Sequence, residues 1–258
     1  MTLAVNNIDL AIGEKTLLRG ISFNLEAGEL LAVIGPNGAG KTSLLKGIAG
    51  ELVSSVGSVT IGGTDIGGLS LQDRARTMAV LPQLSLLNFP YTVEEVIVLG
   101  RSPHATGAQR DEAIVAETMA RMDILHLGGR LYTQLSGGEK QRVQLARVMA
   151  QVWQGDTTNP GLLLLDEPTG ALDLGHQQLL MHTLQTLATQ GIAMLMTVHD
   201  INIAAAYADR ILALKDGCCV AMGVPEEVIT GPIMKELYNV DLRILSHPDS
   251  AKPVALGI

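Results

Sequence analysis

Gly35-Pro36-Asn37-Gly38-Ala39-Gly40-Lys41-Thr42 follows the apolar run Leu30-Leu31-Ala32-Val33-Ile34 and precedes Leu44, Leu45 and Ile48 at helical spacing. Glycines at 35, 38 and 40 free the backbone for conformations a side chain forbids, so successive amide N–H groups can point at phosphate oxygens while a helix N-terminus adds its positive dipole end. Every fixed position of the P-loop pattern is filled, with Gly35 through Ser43 as the nucleotide cradle. Lys41 would reach the β- and γ-phosphates of a nucleotide and Thr42 a Mg2+ ion. A second acidic centre lies far along the chain, where Leu162-Leu163-Leu164-Leu165 runs into Asp166-Glu167-Pro168. The apolar run has the length of a strand buried on both faces, and its side chains alternate, so the two acids need different environments. Asp166 is expected to hold the magnesium and Glu167 to polarise the attacking water as general base.

Between these two centres comes Leu135-Ser136-Gly137-Gly138-Glu139-Lys140-Gln141-Arg142, followed by Val143, Leu145, Ala146 and Val148 at helical spacing. Ser136 suits an N-cap. Two consecutive glycines cost helix stability unless the backbone must approach something closely, so this terminus suits a second set of phosphate contacts through Ser136, Gly137 and Gly138.

On these motifs the chain resembles the ATP-binding cassette ATPases, whose signature LSGGQ is matched here as LSGGE, and the resemblance covers nearly the whole chain. It implies an α/β fold: a P-loop NTPase core of ABC type with an antiparallel β edge and a helical subdomain. One P-loop and one signature per chain imply a homodimer in which the P-loop of one subunit and the signature of the other close on the same ATP. Gln83, in Leu81-Pro82-Gln83, matches the glutamine that contacts magnesium and senses the membrane partner. His199, in Met196-Thr197-Val198-His199-Asp200, matches the switch histidine at the γ-phosphate. Asp173 matches the D-loop aspartate of the dimer interface. The usual SALD reads Gly170-Ala171-Leu172-Asp173 here, and the missing hydroxyl is expected to alter coupling without abolishing hydrolysis. The aromatic residue that stacks on adenine has no counterpart in Leu10-Ala11-Ile12-Gly13-Glu14-Lys15-Thr16. Ile12 leaves only an apolar contact, and weak base selectivity is expected.

At 258 residues with a net charge of -8, the chain can bury a substantial core, and its acidic balance argues against a nucleic-acid surface. A mean hydropathy of +0.29 fits buried parallel strands or an apolar docking surface. No apolar stretch reaches membrane-spanning length and residues 1–9 lack the features of a signal peptide, so the chain is expected to be soluble and cytoplasmic by itself; the resemblance implies that it sits peripherally on the cytoplasmic face of the bacterial inner membrane. Cys218 and Cys219 are adjacent, a geometry that rarely forms a bridge, and read as strand residues in a reducing compartment.

Glycine-rich turns divide the first 80 or so residues into short strands interrupted by the P-loop helix. Residues 85–141 turn helical and are expected to form the subdomain carrying the signature, with residues 1–84 and 142–258 as the nucleotide-binding core of a single domain. Leu87-Asn88-Phe89-Pro90-Tyr91-Thr92 exposes two aromatics where the resemblance places docking of two permease subunits, near residues 85–101, and Thr92 caps a helix with Glu94 and Glu95 in its first turn. Further helices are expected at 179–189, 201–208 and from Pro225, strands at 192–198, 211–214 and 218–222, and a tail without strong period from 242. The text from Asn88 to Arg101 is similar to the bacterial importers of iron siderophores, haem and vitamin B12, which also use a periplasmic binding protein. Arg101-Ser102-Pro103-His104, the loop from Trp153 to Pro160 and Ser246-His247-Pro248-Asp249-Ser250 resemble the haem-importing branch.

Overall fold

The computed structural model describes residues 2–83, 87–153 and 161–257. Residues 85 and 86 of the expected docking segment, and the part of the Trp153 to Pro160 loop beyond Trp153, lie outside the described residues.

Alternation of apolar and polar side chains makes β1 (Leu3–Ile12) and β2 (Lys15–Leu25), an antiparallel pair joined through Gly13 at φ 58°. Leu3, Ile8 and Leu10 from one strand and Leu18, Ile21 and Leu25 from the other are buried between the sheet and what lies beneath it. β3 (Leu30–Ile34) is buried along its whole length and leads into α1 (Lys41–Ile48). β4 (Val56–Ile61) pairs with β1 on the side away from β2, and β5 (Thr64–Asp65) completes that sheet in the order β2-β1-β4-β5. The expected antiparallel edge is this sheet.

Residues 69–192 form a second compact unit. It opens on α2 (Leu71–Thr77), a helix absent from the sequence expectation because none of its residues is fully buried; Ser70 caps it, and the Ala75 carbonyl accepts from Gln151 Nε2 at 2.9 Å. β6 (Met78–Leu81) follows and pairs in parallel with β7 (Leu162–Asp166). Between them run α3 (Val93–Val98), α4 (Ala108–Arg121) and α5 (Gly137–Val152). Thr92 caps α3 in a full capping box with Glu95, and Ser136 caps α5 in the same way with Glu139. The buried Arg101 ties these helices together: Nε donates to Asp111 at 2.8 Å, Nη1 to the Ala150 carbonyl at 2.6 Å and Nη2 to Thr106 at 3.0 Å. α6 (Leu174–Thr189) begins five residues earlier than the expected 179, because Asp173 caps it.

The remaining residues return to the first unit, which comprises 1–68 and 193–258. β8 (Ala193–Thr197), α7 (Ile201–Tyr207), β9 (Arg210–Lys215) and β10 (Cys218–Gly223) come in order. β3 lies between β8 and β9, parallel to both, and β10 adds antiparallel to β9. β3 and β8 are buried at every position, which accounts for their continuous apolar text. Cys218 and Cys219 sit in β10, free and exposed. The tail departs from expectation. After α8 (Pro225–Val228) the chain forms α9 (Gly231–Tyr238), then a hairpin of β11 (Leu242–Ser246) and β12 (Pro253–Gly257) in regular antiparallel register. No helix among the described residues is long and apolar enough to cross a membrane.

Candidate functional site

In the first unit, β3 ends and the backbone swings through left-handed conformations at Gly35 (φ 151°), Gly38 (φ 80°) and Gly40 (φ 104°) before α1 begins. Two of these glycines are enforced sterically as well as torsionally. A Cβ on Gly35 would stand 2.1 Å from the Leu214 carbonyl oxygen, and one on Gly40 would stand 2.6 Å from Leu18 Cδ2. The loop is thus pressed from behind by β9 and β2 and open in front, where a Cβ on Gly38 would meet nothing within 4 Å. Gly40 gives α1 no side-chain cap, so the first-turn amides are not claimed by a capping oxygen. Lys41 is buried and curls back over the loop, with Nζ donating to the carbonyls of Gly35 at 2.7 Å and Pro36 at 3.1 Å. This is an anion cradle whose cation rests on its own carbonyls. Pro36, Asn37 and Ala39 line the same loop, and Thr42 and Ser43 open α1 half-buried. His199 is exposed just after buried Val198, whose N–H donates to the Val33 carbonyl at 3.1 Å. Asp200 beside it caps α7, accepting from the Asn202 amide at 2.8 Å.

In the second unit, β7 delivers Asp166 with 3% exposure and then breaks. Glu167 takes φ 51°, a left-handed conformation that costs a side-chain-bearing residue about 1–3 kcal/mol and tends to persist where function requires it. The kink separates the two carboxyls: Asp166 stays buried, while Glu167 is half-buried and its Oε2 accepts from Gln83 Nε2 at 2.8 Å. The structure therefore brings together Gln83 and Glu167, which are 84 residues apart in sequence.

The start of α5 and the start of α6 border a cleft of about 110 Å³, with Ser136, Gly138 and Arg142 on one side and Leu172, Asp173 and His176 on the other. Ser136 Oγ accepts from the Glu139 amide at 3.3 Å, and Glu139 Oε2 accepts from the Ser136 amide at 2.7 Å. That amide and the Ser136 hydroxyl hold the Glu139 carboxyl below the usual range. Gly137 opens α5 and is exposed, and a Cβ on Gly138 would stand 3.0 Å from the Ala171 carbonyl oxygen, so the glycine lets the two segments meet. Asp173 Oδ1 accepts from the His176 amide and lies 2.9 Å from His176 Nδ1. The His176 amide first and its imidazole second lower the Asp173 pKa. His176 was not among the expected site residues, although its spacing from Asp173, three positions on within one helix, is the signal that would have found it.

The sequence matches the ABC transporter family over residues 18–170. It is 45% identical to the hemin import ATP-binding protein HmuV of Pseudomonas fluorescens Pf-5 over 256 residues, 99% of each chain. It is 44% identical to the protein of the same name from Pseudomonas entomophila L48 over 254 residues, 98% of this chain and 99% of that one. Among solved structures, one described as a metal-chelate type ABC transporter in an inward-facing conformation superposes with a TM-score of 0.81 at 26% identity, covering 100% of this chain and 97% of that one. The chain belongs to the ABC transporter family, as an ATP-binding cassette ATPase.

Proposed function

We propose that this chain is the ATP-hydrolysing subunit of a bacterial haem importer, peripheral to the cytoplasmic face of the inner membrane, where it energises uptake through two permease subunits fed by a periplasmic binding protein. The observation that carries the haem assignment is end-to-end similarity at 45% identity to a protein named for hemin import. The glycine-enforced cradle, its uncapped helix and the buried Lys41 support ATP binding at Gly35 through Ser43. Thr42, Gln83 and the buried Asp166 are the oxygen ligands that would hold Mg2+, a hard cation suited to such donors. Bound there, the ion neutralises charge on the transferring phosphoryl group.

Chemistry proceeds by positioning. Lys41 leaves the Gly35 and Pro36 carbonyls for the phosphate oxygens. Glu167 takes a proton from the attacking water, and its bond from Gln83 couples that base to the segment leading into the proposed permease contact at residues 85–101. His199 faces the γ-phosphate, and a homodimer completes each site with Ser136, Gly137, Gly138 and Asp173 of the partner subunit. Residues 85–141 act as the helical subdomain that passes closure to the membrane, with exposed Phe89 and Tyr91, whose ring centroids lie 6.1 Å apart, as anchors.

The assignment is tested by capturing the tagged chain from its native membranes, identifying the co-purifying permease and binding protein by mass spectrometry, and adding haemin to the binding protein. A shift of the Soret band supports haem import. A binding protein that takes a ferric siderophore or cobalamin and leaves the Soret band unmoved overturns the cargo assignment.

A further inference from the structure

Arg147 lies on α5, the helix that Ser136 caps, and the chemistry proposed above makes no use of it. Its Nε donates to Gln144 Oε1 at 2.8 Å, and Gln144 Nε2 donates to the Tyr132 hydroxyl at 3.0 Å. Gln144 and Tyr132 are both buried, so a sealed pair of side chains fixes one edge of the guanidinium. No other hydrogen bond or ion pair of Arg147 forms among the described residues. Carboxylates on the neighbouring helices α3 and α4 are engaged elsewhere: Glu95 with Thr92, Asp111 with Arg101 and Glu117 with Arg121. Burial pushes the Arg147 pKa down, and only the Tyr132 phenol works the other way. A partly desolvated cation without an anion is costly, because burial removes water and nothing returns the charge interaction. The sealed atoms that lack a partner include none from Arg147, so its two terminal nitrogens stay open to solvent.

Two stretches with exposed apolar side chains converge on this arginine. The Tyr132 amide donates to the Tyr91 carbonyl at 2.9 Å, which ties the loop of Phe89 and Tyr91 to the Tyr132–Gln144–Arg147 chain of bonds. From the other direction Gly100 crosses α5 so closely that a Cβ on it would stand 2.2 Å from the Arg147 carbonyl oxygen, and Val98 and Leu99 just before it are exposed. An open guanidinium beside aromatic and aliphatic side chains is the composition of an interface anchor, and its planar fork matches a carboxylate bidentately. We infer that Arg147 is the charged anchor of the permease contact: it takes, as a bidentate pair, the carboxylate of an Asp or Glu on the permease segment that docks on Phe89, Tyr91, Val98 and Leu99. The partner supplies the anion that this chain withholds. The inference rests on the proposed permease contact at residues 85–101 and gives that contact its chemistry, an acidic residue set in an apolar segment.

The probe is the permease dimer captured from native membranes with the wild-type chain, freed of it and returned to lipid nanodiscs. Basal ATPase activity of the isolated full chain and its Kd for that permease are measured for wild type, for Arg147→Met, and for a double variant with Phe89→Ala and Tyr91→Ala. Arg147→Met should hydrolyse ATP as wild type does, while its Kd weakens about tenfold to a hundredfold, the range of hydrogen bonds to a charged group. An unchanged Kd for Arg147→Met beside a weakened double variant overturns the inference and leaves the docking surface standing. Arg147→Lys keeps the charge and supplies an amine. Treated with a carbodiimide in the complex, it should form an amide to a permease Asp or Glu, read as a cross-linked peptide by mass spectrometry. An amide only to carboxylates of this chain, or none, overturns the inference even where Arg147→Met does not fold. A wild-type chain that does not bind the permease overturns the docking reading itself, and the inference with it.

Discussion

Glu167 lies at φ 51° immediately before Pro168, and replacing it separates backbone strain from chemistry. Glu167→Ala keeps a Cβ in the left-handed region and loses the bond from Gln83; Glu167→Gly loses the same bond but relieves the torsion. The two variants therefore differ only by strain relief and chain entropy. Relief is worth about 1–3 kcal/mol, and glycine's greater freedom in the unfolded chain returns roughly 0.5–1 kcal/mol. The glycine variant should be the more stable by about 1 kcal/mol, or roughly 2–4 °C in melting temperature for a chain of this size. At an ordinary helix or strand position the order is reversed. Thermal unfolding without nucleotide measures the order, and an alanine variant as stable as the glycine one would refute the strained geometry. Both should lack turnover. Glu167→Gln retains an oxygen for Gln83 and the same backbone, so its stability should match wild type, while kcat falls by about 10²–10⁴ with ATP binding intact, the range of a removed general base.

Gly100→Ala should destabilise by about 1–3 kcal/mol, because the new Cβ would stand 2.2 Å from the Arg147 carbonyl oxygen and helix backbone cannot yield as a side chain can; chemical denaturation measures it. Ser136→Ala should lose the cap of α5, about 1 kcal/mol, and in mixed dimers with a Lys41→Ala subunit the one site built from two intact halves should retain hydrolysis. A pair without any hydrolysis would contradict shared sites that fire independently. Ile12 is 59% exposed and offers only an apolar edge, so kcat/KM for GTP should lie within about tenfold of that for ATP, the span of a ~1.4 kcal/mol contact; steady-state kinetics with both nucleotides decides it.

Features written in local chemistry were legible in the sequence. Thr92 with Glu95 and Ser136 with Glu139 announce helix starts because capping is settled within one turn. The apolar runs of β3 and β7 announce strands because both faces are buried. Where structure depends on distant partners, the text is silent. α2 has no fully buried residue to impose a period, and the first turn of α6 carries Gly175 and His176 where a core-facing helix would show apolar residues. The hairpin of β11 and β12 is half-exposed, so its alternation is weak and its register is set by pairing across the turn at residues 247–252. The site divides the same way. Its glycines, lysine and carboxylates follow from motif chemistry, and the local spacing of Asp173 and His176 is readable in the same way, whereas the bond from Gln83 to Glu167, 84 residues away, arises only when the chain is folded.

The most direct measurement is haemin uptake by sealed vesicles that carry the co-purified permease, with binding protein and haemin outside and this chain with MgATP on the other face. ATP-driven haem import predicts accumulation of haemin that needs both ATP and binding protein and disappears with Glu167→Gln. Accumulation of a siderophore or cobalamin in place of haemin would contradict the cargo, and haemin uptake that persists with Glu167→Gln would contradict the assignment of this chain as the motor.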